Sequence, residues 1–343
     1  MKKPDTSLID QEWPAGELEA VHNCPFCGSA ERTIAYENVQ DWSFYCAPGK
    51  WTYWDCAQCE ALYLNPRPTE ASIGMAYSVY YTHGTSLLRK FYASLRERLR
   101  NECWFAWFDI KITPRIGLPF SFHWLLMPLR QRLSEPFLQI HLNKLPKGKL
   151  LDIGCGNGMV MGHAQQMGWQ VTGFEIDPEA VRTATNAGLD VVQANYDQVD
   201  QFTEQFDCVI CSHVLEHLHQ PMDLLKRIKQ VLKPGGYAIL VLPNALSAIR
   251  MQYGQYWRGL EAPRHLGIPS SLYLVNTMKG VGLEVILMNT HHNETQAESE
   301  KIARGNHSSK TKKILSGDID IRTQPLNSKN WTSDFTKIVA RKI

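Results

Sequence analysis

The feature that most restricts the fold is a short apolar strand, Lys149–Ile153, that runs into Gly154-Cys-Gly156-Asn-Gly158 and then into an apolar-periodic stretch over 159–167 ended by Gly168. A strand, a glycine turn and a helix in that order form the first unit of a parallel sheet. The alternation continues. The strand 169–174 stops at Glu175, and Asp177-Pro178 opens a helix, with proline in its first turn, that ends at Gly188. Strands follow at Val191–Gln193 and Phe206–Ser212, a helix at 221–232, a strand at 237–242, a helix at 271–278, and strands at 283–288 and 335–340. Such a chain predicts a mostly parallel sheet with helices on both faces and a ligand at the carboxyl ends of the strands.

The residues around the turn narrow the ligand. Glycine at 154, 156 and 158 lets the backbone curl and approach a ligand with no Cβ in the way. A glycine turn alone also suits a dinucleotide. Asp152, just before the turn, would repel a pyrophosphate and favours a cationic amino-acid head instead. Glu175, 17 residues past Gly158 and at a strand end, is placed to accept hydrogen bonds from ribose hydroxyls. A ligand with a ribose and an ammonium but no phosphate is S-adenosylmethionine (SAM).

The N-terminal part carries a different signal. Nine cysteines, an odd number, in a chain whose first residues lack an apolar leader argue against a disulfide framework and predict a cytoplasmic protein. Four of them form Cys24-Pro-Phe-Cys27 and Cys56-Ala-Gln-Cys59, separated by 28 residues. Each pair is a tight turn aiming two sulfurs at one point, and together they offer an S4 site for structural Zn²⁺, with strands expected at 51–55 and 61–64. Gly28 follows the first pair and suits a left-handed backbone, whereas Glu60 follows the second. Cys46 reads as an unliganded thiol. Cys208 and Cys211 lie within an apolar strand and read as core.

Between these parts, residues 85–132 hold nine basic residues against three acidic ones, and nine aromatics. Leu88, Phe91, Tyr92, Leu95 and Leu99 recur at helical spacing with arginines interleaved, a pattern suited either to an inter-domain helix or to peripheral contact with an anionic inner-membrane surface. No stretch is long and apolar enough to predict a spanning helix. The net charge of +2 gives no chain-wide polycation and argues against nucleic acid as a partner.

Leu151-Asp-Ile-Gly-Cys-Gly-Asn-Gly158, Gly173-Phe-Glu-Ile-Asp-Pro178, Phe206-Asp207 and Leu232-Lys-Pro-Gly-Gly236 together resemble class I SAM-dependent methyltransferases. His213-Val-Leu-Glu-His-Leu218, Val241-Leu-Pro-Asn244, Trp257-Arg-Gly-Leu-Glu-Ala-Pro-Arg-His-Leu266, Leu64-Asn-Pro-Arg-Pro68 and Tyr80-Tyr81 are similar to a bacterial subgroup with an N-terminal C4 zinc ribbon. The resemblance implies an α/β fold: a Rossmann-like class I methyltransferase domain with a mostly parallel seven-stranded sheet at 147–343, a small zinc-ribbon domain at 1–75, and a basic, aromatic helical connection at 76–146. It implies two cofactors, SAM and structural Zn²⁺, the latter on Cys24, Cys27, Cys56 and Cys59. It further implies that Asp152, Gly154, Gly156 and Gly158 line the methionine part of SAM, that Glu175 holds the ribose, that Asn195 meets the adenine amine, and that Ser212 and His213 lie near the sulfonium. It also implies an acceptor that is a small molecule, a glycan or a lipid-linked compound, with no oligomeric state specified.

Methyl transfer needs alignment and, where the nucleophile carries a proton, a base. His213, His217 and His265 are the candidates, with Arg264 to hold a phosphate or carboxylate of the acceptor. Glu216 reads as a helix brace, and His219 as a solvated turn residue. The polar stretch 293–331 reads as an insertion or loop. His213-x-x-Glu216-His217 also matches a zinc-peptidase pattern, but that reading leaves the glycine turn and Glu175 unexplained. The rival of another class is a non-catalytic module in which the ribbon and basic middle recruit nucleic acid or protein.

Overall fold

The computed structural model describes residues 7–77, 87–129, 137–289, 295–306 and 334–343. It divides into two compact units, one of 1–82, 211–229 and 240–343, the other of 83–210 and 230–239.

In the first unit, β1 (Leu18–Glu19), β2 (Arg32–Val39), β3 (Trp51–Cys56), β4 (Leu62–Leu64) and β5 (Arg67–Pro68) follow one another. β3 buries Trp51 and Tyr53 and leaves Thr52 and Trp54 half-buried, the period-2 alternation of a one-faced strand. β2, β3 and β4 pair antiparallel, and β1 pairs with β5. The expected strands on either side of the second Cys-x-x-Cys turn are present. The sequence alone suggests a small core of the ribbon's own, closed by metal; the packing is different. Within the same unit β11 (Gly267–Ile268) adds to the ribbon sheet beside β4, pairing Ile268 with Leu62. Trp51, Tyr53, Leu62 and Leu64 share one buried cluster with Ile249, Trp257, Leu260 and Leu266. Trp257 and Leu260 are therefore core residues.

In the second unit, helices α1 (Leu87–Phe108) and α2 (Phe137–Lys144) precede β6 (Lys149–Ile153), α3 (Met159–Gln166), β7 (Gln170–Glu175), α4 (Pro178–Asn186), β8 (Val191–Gln193) and β9 (Phe206–Ser212), whose last two residues fall in the first unit. α4 starts where the sequence places it: the Asp177 side chain accepts from the amides of Glu179 and Ala180, with proline at the first helical position. β6 pairs parallel with β7, and β7 with β8.

The chain goes on through α5 (Pro221–Val231), β10 (Leu232–Pro243), α6 (Ala248–Tyr253), then β11, α7 (Ser271–Gly280), β12 (Leu283–Asn289), α8 (Gln296–Asn306) and β13 (Phe335–Lys342). The large sheet has seven strands in the order β12-β13-β10-β9-β6-β7-β8, mostly parallel, with β12 and β13 antiparallel. Cys208 and Cys211 are buried in β9, as the apolar strand required. Residues 296–306 form α8 rather than loop, preceded by the buried Thr295; 293–294 and 307–331 lie outside the described residues. α1 is a helix as its spacing predicts, but the side chains of Leu88, Phe91 and Tyr92 lie outside the described set. No helix among the described residues is long and apolar enough to cross a membrane.

Candidate nucleoside pocket and histidine cluster

Asp152 is the fourth residue of β6 and only 3% exposed. Burial, and then the nearby Glu175 charge, push its carboxyl up from 3.8 to about 7. A carboxylate in that position calls for a cation. Gly154, Gly156 and Gly158 all take left-handed backbone, with φ of 71°, 55° and 77°. They serve different needs. A Cβ on Gly158 would lie 2.3 Å from Leu189 Cδ1, so this glycine permits packing; a Cβ on Gly156 would meet nothing within 4 Å, so this one leaves an open face.

Glu175 ends β7 and ties the turn to it. Its Oε2 accepts the Gly156 amide at 2.8 Å, and its Oε1 accepts the amides of Ile176 at 2.8 Å and Asp177 at 3.0 Å. A carboxylate offers about four lone-pair sites, so these three amides leave capacity for a hydroxyl. Asn195 follows β8 at the same edge, where the Ala194 amide donates to the Glu175 carbonyl at 3.0 Å. The Asn195 carbonyl oxygen, expected to meet an adenine amine, accepts the Tyr196 amide at 2.7 Å and keeps a second lone pair. A buried acid, an open glycine face and a fixed carboxylate fit the amino-acid head and sugar of SAM.

The first unit holds a second cluster. Ser212 is half-buried at the end of β9. His213 follows with φ 57°, a left-handed conformation that costs a non-glycine residue on the order of 1 kcal/mol or more. The His213 amide donates to the Val241 carbonyl at 2.7 Å, and its Nδ1 sits 3.2 Å from Glu216 Oε1. Glu216 is fully buried, and its Oε2 has no hydrogen-bond partner. Burial would raise its carboxyl, but the His213 hydrogen bond and the His217 charge outweigh that and hold it low. Glu216 sits within the short 3₁₀ turn Leu215–His217 and faces the His213 ring from inside the core.

His217 Nδ1 lies 3.0 Å from the Arg264 carbonyl and 3.0 Å from the Tyr77 hydroxyl; His265 Nδ1 lies 2.7 Å from the Gly259 carbonyl. A carbonyl can only accept, so both rings carry a proton on Nδ1. The rings pack at 4.7 Å between centroids. Burial draws His265 down to about 4 despite Glu261, so it is neutral at pH 7. Glu216, His217 and His265 each present a ligand atom within 4.8 Å of the others. Glu261 is held at about 2: burial would raise it, but His265, Arg258 and Arg264 prevail.

Two sequence expectations are corrected here. Arg264 is not positioned to hold an acceptor. Its guanidinium is fully buried, on Asp41 Oδ1 at 2.5 Å and Oδ2 at 3.1 Å and on Glu261 Oε1 at 3.2 Å, and these acids consume its charge. His219 is buried, not solvated, with Nε2 3.0 Å from the Pro68 carbonyl. Tyr77, Asp41 and Glu261 were missed. Only Glu261 had a legible signal, an acid inside the Glu-Ala-Pro-Arg-His run.

Cys24, Cys27, Cys56 and Cys59 bring their sulfurs within 4.8 Å of one another, with Cys24–Cys59 at 3.6 Å and Cys27–Cys56 at 3.5 Å. Tetrahedral Zn–S bonds of ~2.3 Å set edges of ~3.8 Å, so the tetrad fits zinc. Gly28 and Glu60 both adopt left-handed backbone, φ 78° and 57°, and donate to the carbonyls of Cys24 and Cys56. The two knuckles are conformational twins even though one uses glutamate. Cys46 stands apart, buried against Asp41.

These features define a Rossmann-like α/β domain with a glycine-rich turn after its first strand, and a four-cysteine cluster. Residues 125–287, just under half of the chain, match the model of the methyltransferase domain family. It is similar to the ubiquinone biosynthesis O-methyltransferase of Xanthomonas oryzae pv. oryzae, 34% identical over 111 residues, 30% of this chain and 46% of the relative. It is also similar to that of Erwinia tasmaniensis, 32% identical over 103 residues, 28% of this chain and 42% of the relative. The chain therefore spans less than half the length of these relatives. A SAM-dependent methyltransferase structure from Thermotoga maritima is 16% identical with a TM-score of 0.44, covering 70% of this chain and all of that one; so loose a likeness carries no functional argument.

Proposed function

We propose that the protein is a SAM-dependent methyltransferase acting on a hydroxyl of a small-molecule, glycan or lipid-linked acceptor. The observation that carries this reading is the buried Asp152 beside the open face of Gly156, with Glu175 fixed on the Gly156 amide. Together they favour a ligand with an ammonium and a sugar and disfavour a pyrophosphate. The names of the O-methyltransferase relatives support oxygen as the accepting atom.

SAM, when bound, supplies a methyl group on a sulfonium, an activated leaving group in its own right. The chain's work is then to bind, align and take a proton. Asp152 pairs with the ammonium of the amino-acid head, Glu175 accepts from the ribose, and Asn195 accepts from the adenine amine. His213 serves as general base: with Nδ1–H donated to Glu216 Oε1, its lone pair is on Nε2, and the charge it gains on protonation is stabilised by the buried Glu216 carboxylate. His217 and His265, each fixed at Nδ1 by a backbone carbonyl, line the same cluster. Zinc on the four cysteines is structural, since four sulfurs leave no open position.

A second reading concerns the partnerless Glu216 Oε2. With His217 and His265 it would suit a divalent cation that polarises the acceptor oxygen. Activity that survives removal of all divalent cations except the zinc on cysteine excludes it.

The test compares S-adenosylhomocysteine with 5′-methylthioadenosine, which lacks the amino-acid head. At pH 8 the first should bind at least tenfold more tightly, and Asp152→Asn should erase the difference. Equal affinity in the unaltered protein contradicts the assignment of Asp152.

A further inference from the structure

The second unit exposes an apolar element that the methyltransferase reading does not use. After α1 the chain forms a 3₁₀ segment, Phe120–Leu129. Phe120 is 87% exposed, Trp124 67% and Met127 60%, and Phe122 and Leu125 are also exposed. The element is nonetheless firmly built. The opposite face buries His123 and Leu126. Glu102 of α1, itself buried, accepts the Gly117 amide at 2.7 Å and faces His123 Nε2 at 3.2 Å. The turn is thus pinned from inside by a polar cluster that holds the aromatic residues outward.

The surrounding charge says what covers this face. Residues 110–134 contain Lys111, Arg115, Arg130 and Arg132 and no aspartate or glutamate. An uncharged run rich in Phe, Trp and Leu, bracketed by basic residues, has the composition that seats in a lipid interface while its cations meet anionic headgroups. With no spanning helix among the described residues, the element would lie in one leaflet.

We propose that residues 115–128 dock the protein on an anionic lipid bilayer by inserting Phe120, Phe122, Trp124, Leu125 and Met127. Helix α1 carries the Glu102 anchor that holds this element. The proposal stands whether or not the transferase reading does.

The test uses the full chain in sedimentation with vesicles of phosphatidylcholine alone, or with one third phosphatidylglycerol. The protein should pellet with the anionic vesicles and far less with the neutral ones. Phe120→Ser/Trp124→Ser, which alters only exposed side chains, should weaken that binding at least tenfold. Trp124→Ser alone should weaken it in part, and Met251→Ser, an exposed apolar residue elsewhere, should leave it unchanged. Raising salt to 0.5 M should reduce binding without abolishing it. The proposal fails if neither vesicle binds, if both bind equally, or if the double variant binds like the unaltered chain. It also fails if the unaltered chain instead forms a dimer that the double variant cannot. SAM titration of the same variants keeps this result separate from the cofactor pocket.

Discussion

Asp152→Asn should make the ligand-free protein more stable and the pocket useless. The folded chain holds the Asp152 proton far more tightly than an unfolded chain, at about 7 against 3.8, because burial disfavours the charged form. Stability therefore falls as pH rises from 4 through 7, since the unfolded state gives up that proton first. At about 1.4 kcal/mol per pH unit between the two values, the raised proton affinity of this carboxyl costs roughly 2 kcal/mol at pH 5, where the folded group is still protonated, and roughly 4 kcal/mol at pH 8, where it is charged. Asparagine removes the charge and keeps the shape. Thermal or urea unfolding of the ligand-free protein should show Asp152→Asn gaining about 2 kcal/mol more at pH 8 than at pH 5. SAM binding should be lost in the same variant, and in the unaltered protein binding near pH 7 should release a proton as the ammonium fixes the carboxylate. Equal unfolding differences at pH 5 and pH 8 would refute the reasoning, because they would mean that Asp152 is already ionised and partnered without ligand.

Further outcomes follow from other sites. His213→Ala should lower kcat by about 10²- to 10⁴-fold with SAM affinity intact, and Glu216→Gln should lower it in the same direction; unchanged turnover in both removes the base. Arg264→Ala strands Asp41 in the core and should destabilise the fold by roughly 3–5 kcal/mol in urea titration, with a loss under 1 kcal/mol counting against the buried pair. Glu60→Gly should be stabilising by ~1 kcal/mol, whereas Gly28→Glu should cost about as much, because both positions hold left-handed backbone. Metal analysis should find about one zinc per chain, and Cys24→Ser should lower both zinc content and the melting temperature.

Much of the fold was legible because its signals are local. The strands β6, β7 and β9 are short runs; β6 stops before Gly154 and β7 two residues before the capping Asp177, whereas β10 starts at Leu232, five residues before the apolar run that the sequence marks, and runs through Pro234-Gly235-Gly236. The cysteine tetrad was legible for the same reason: two tight turns announce themselves. What the sequence hid is long-range. Nothing in Gly267-Ile268 signals that it will extend the ribbon sheet at Leu62 and Tyr63, more than two hundred residues earlier, so the ribbon looked separable when its core runs into Trp257 and Leu260. Arg264 looked like an acceptor clamp because a sequence shows its charge but not the buried Asp41 that neutralises it. The sequence does not show that Glu216 faces His213 from inside the core. His219, beside Pro221, has the look of a surface turn until the Pro68 carbonyl closes over it.

The claim beneath the whole account is that the turn after β6 grips the charged adenosyl compound. Calorimetric titration of the full chain with SAM and, separately, with NADH tests it most directly, with Gly156→Val as the control that fills the open face. The account predicts micromolar SAM binding, none for NADH, and loss of SAM binding in the variant; a silent SAM titration, binding of NADH, or undiminished SAM affinity with valine at 156 would contradict it.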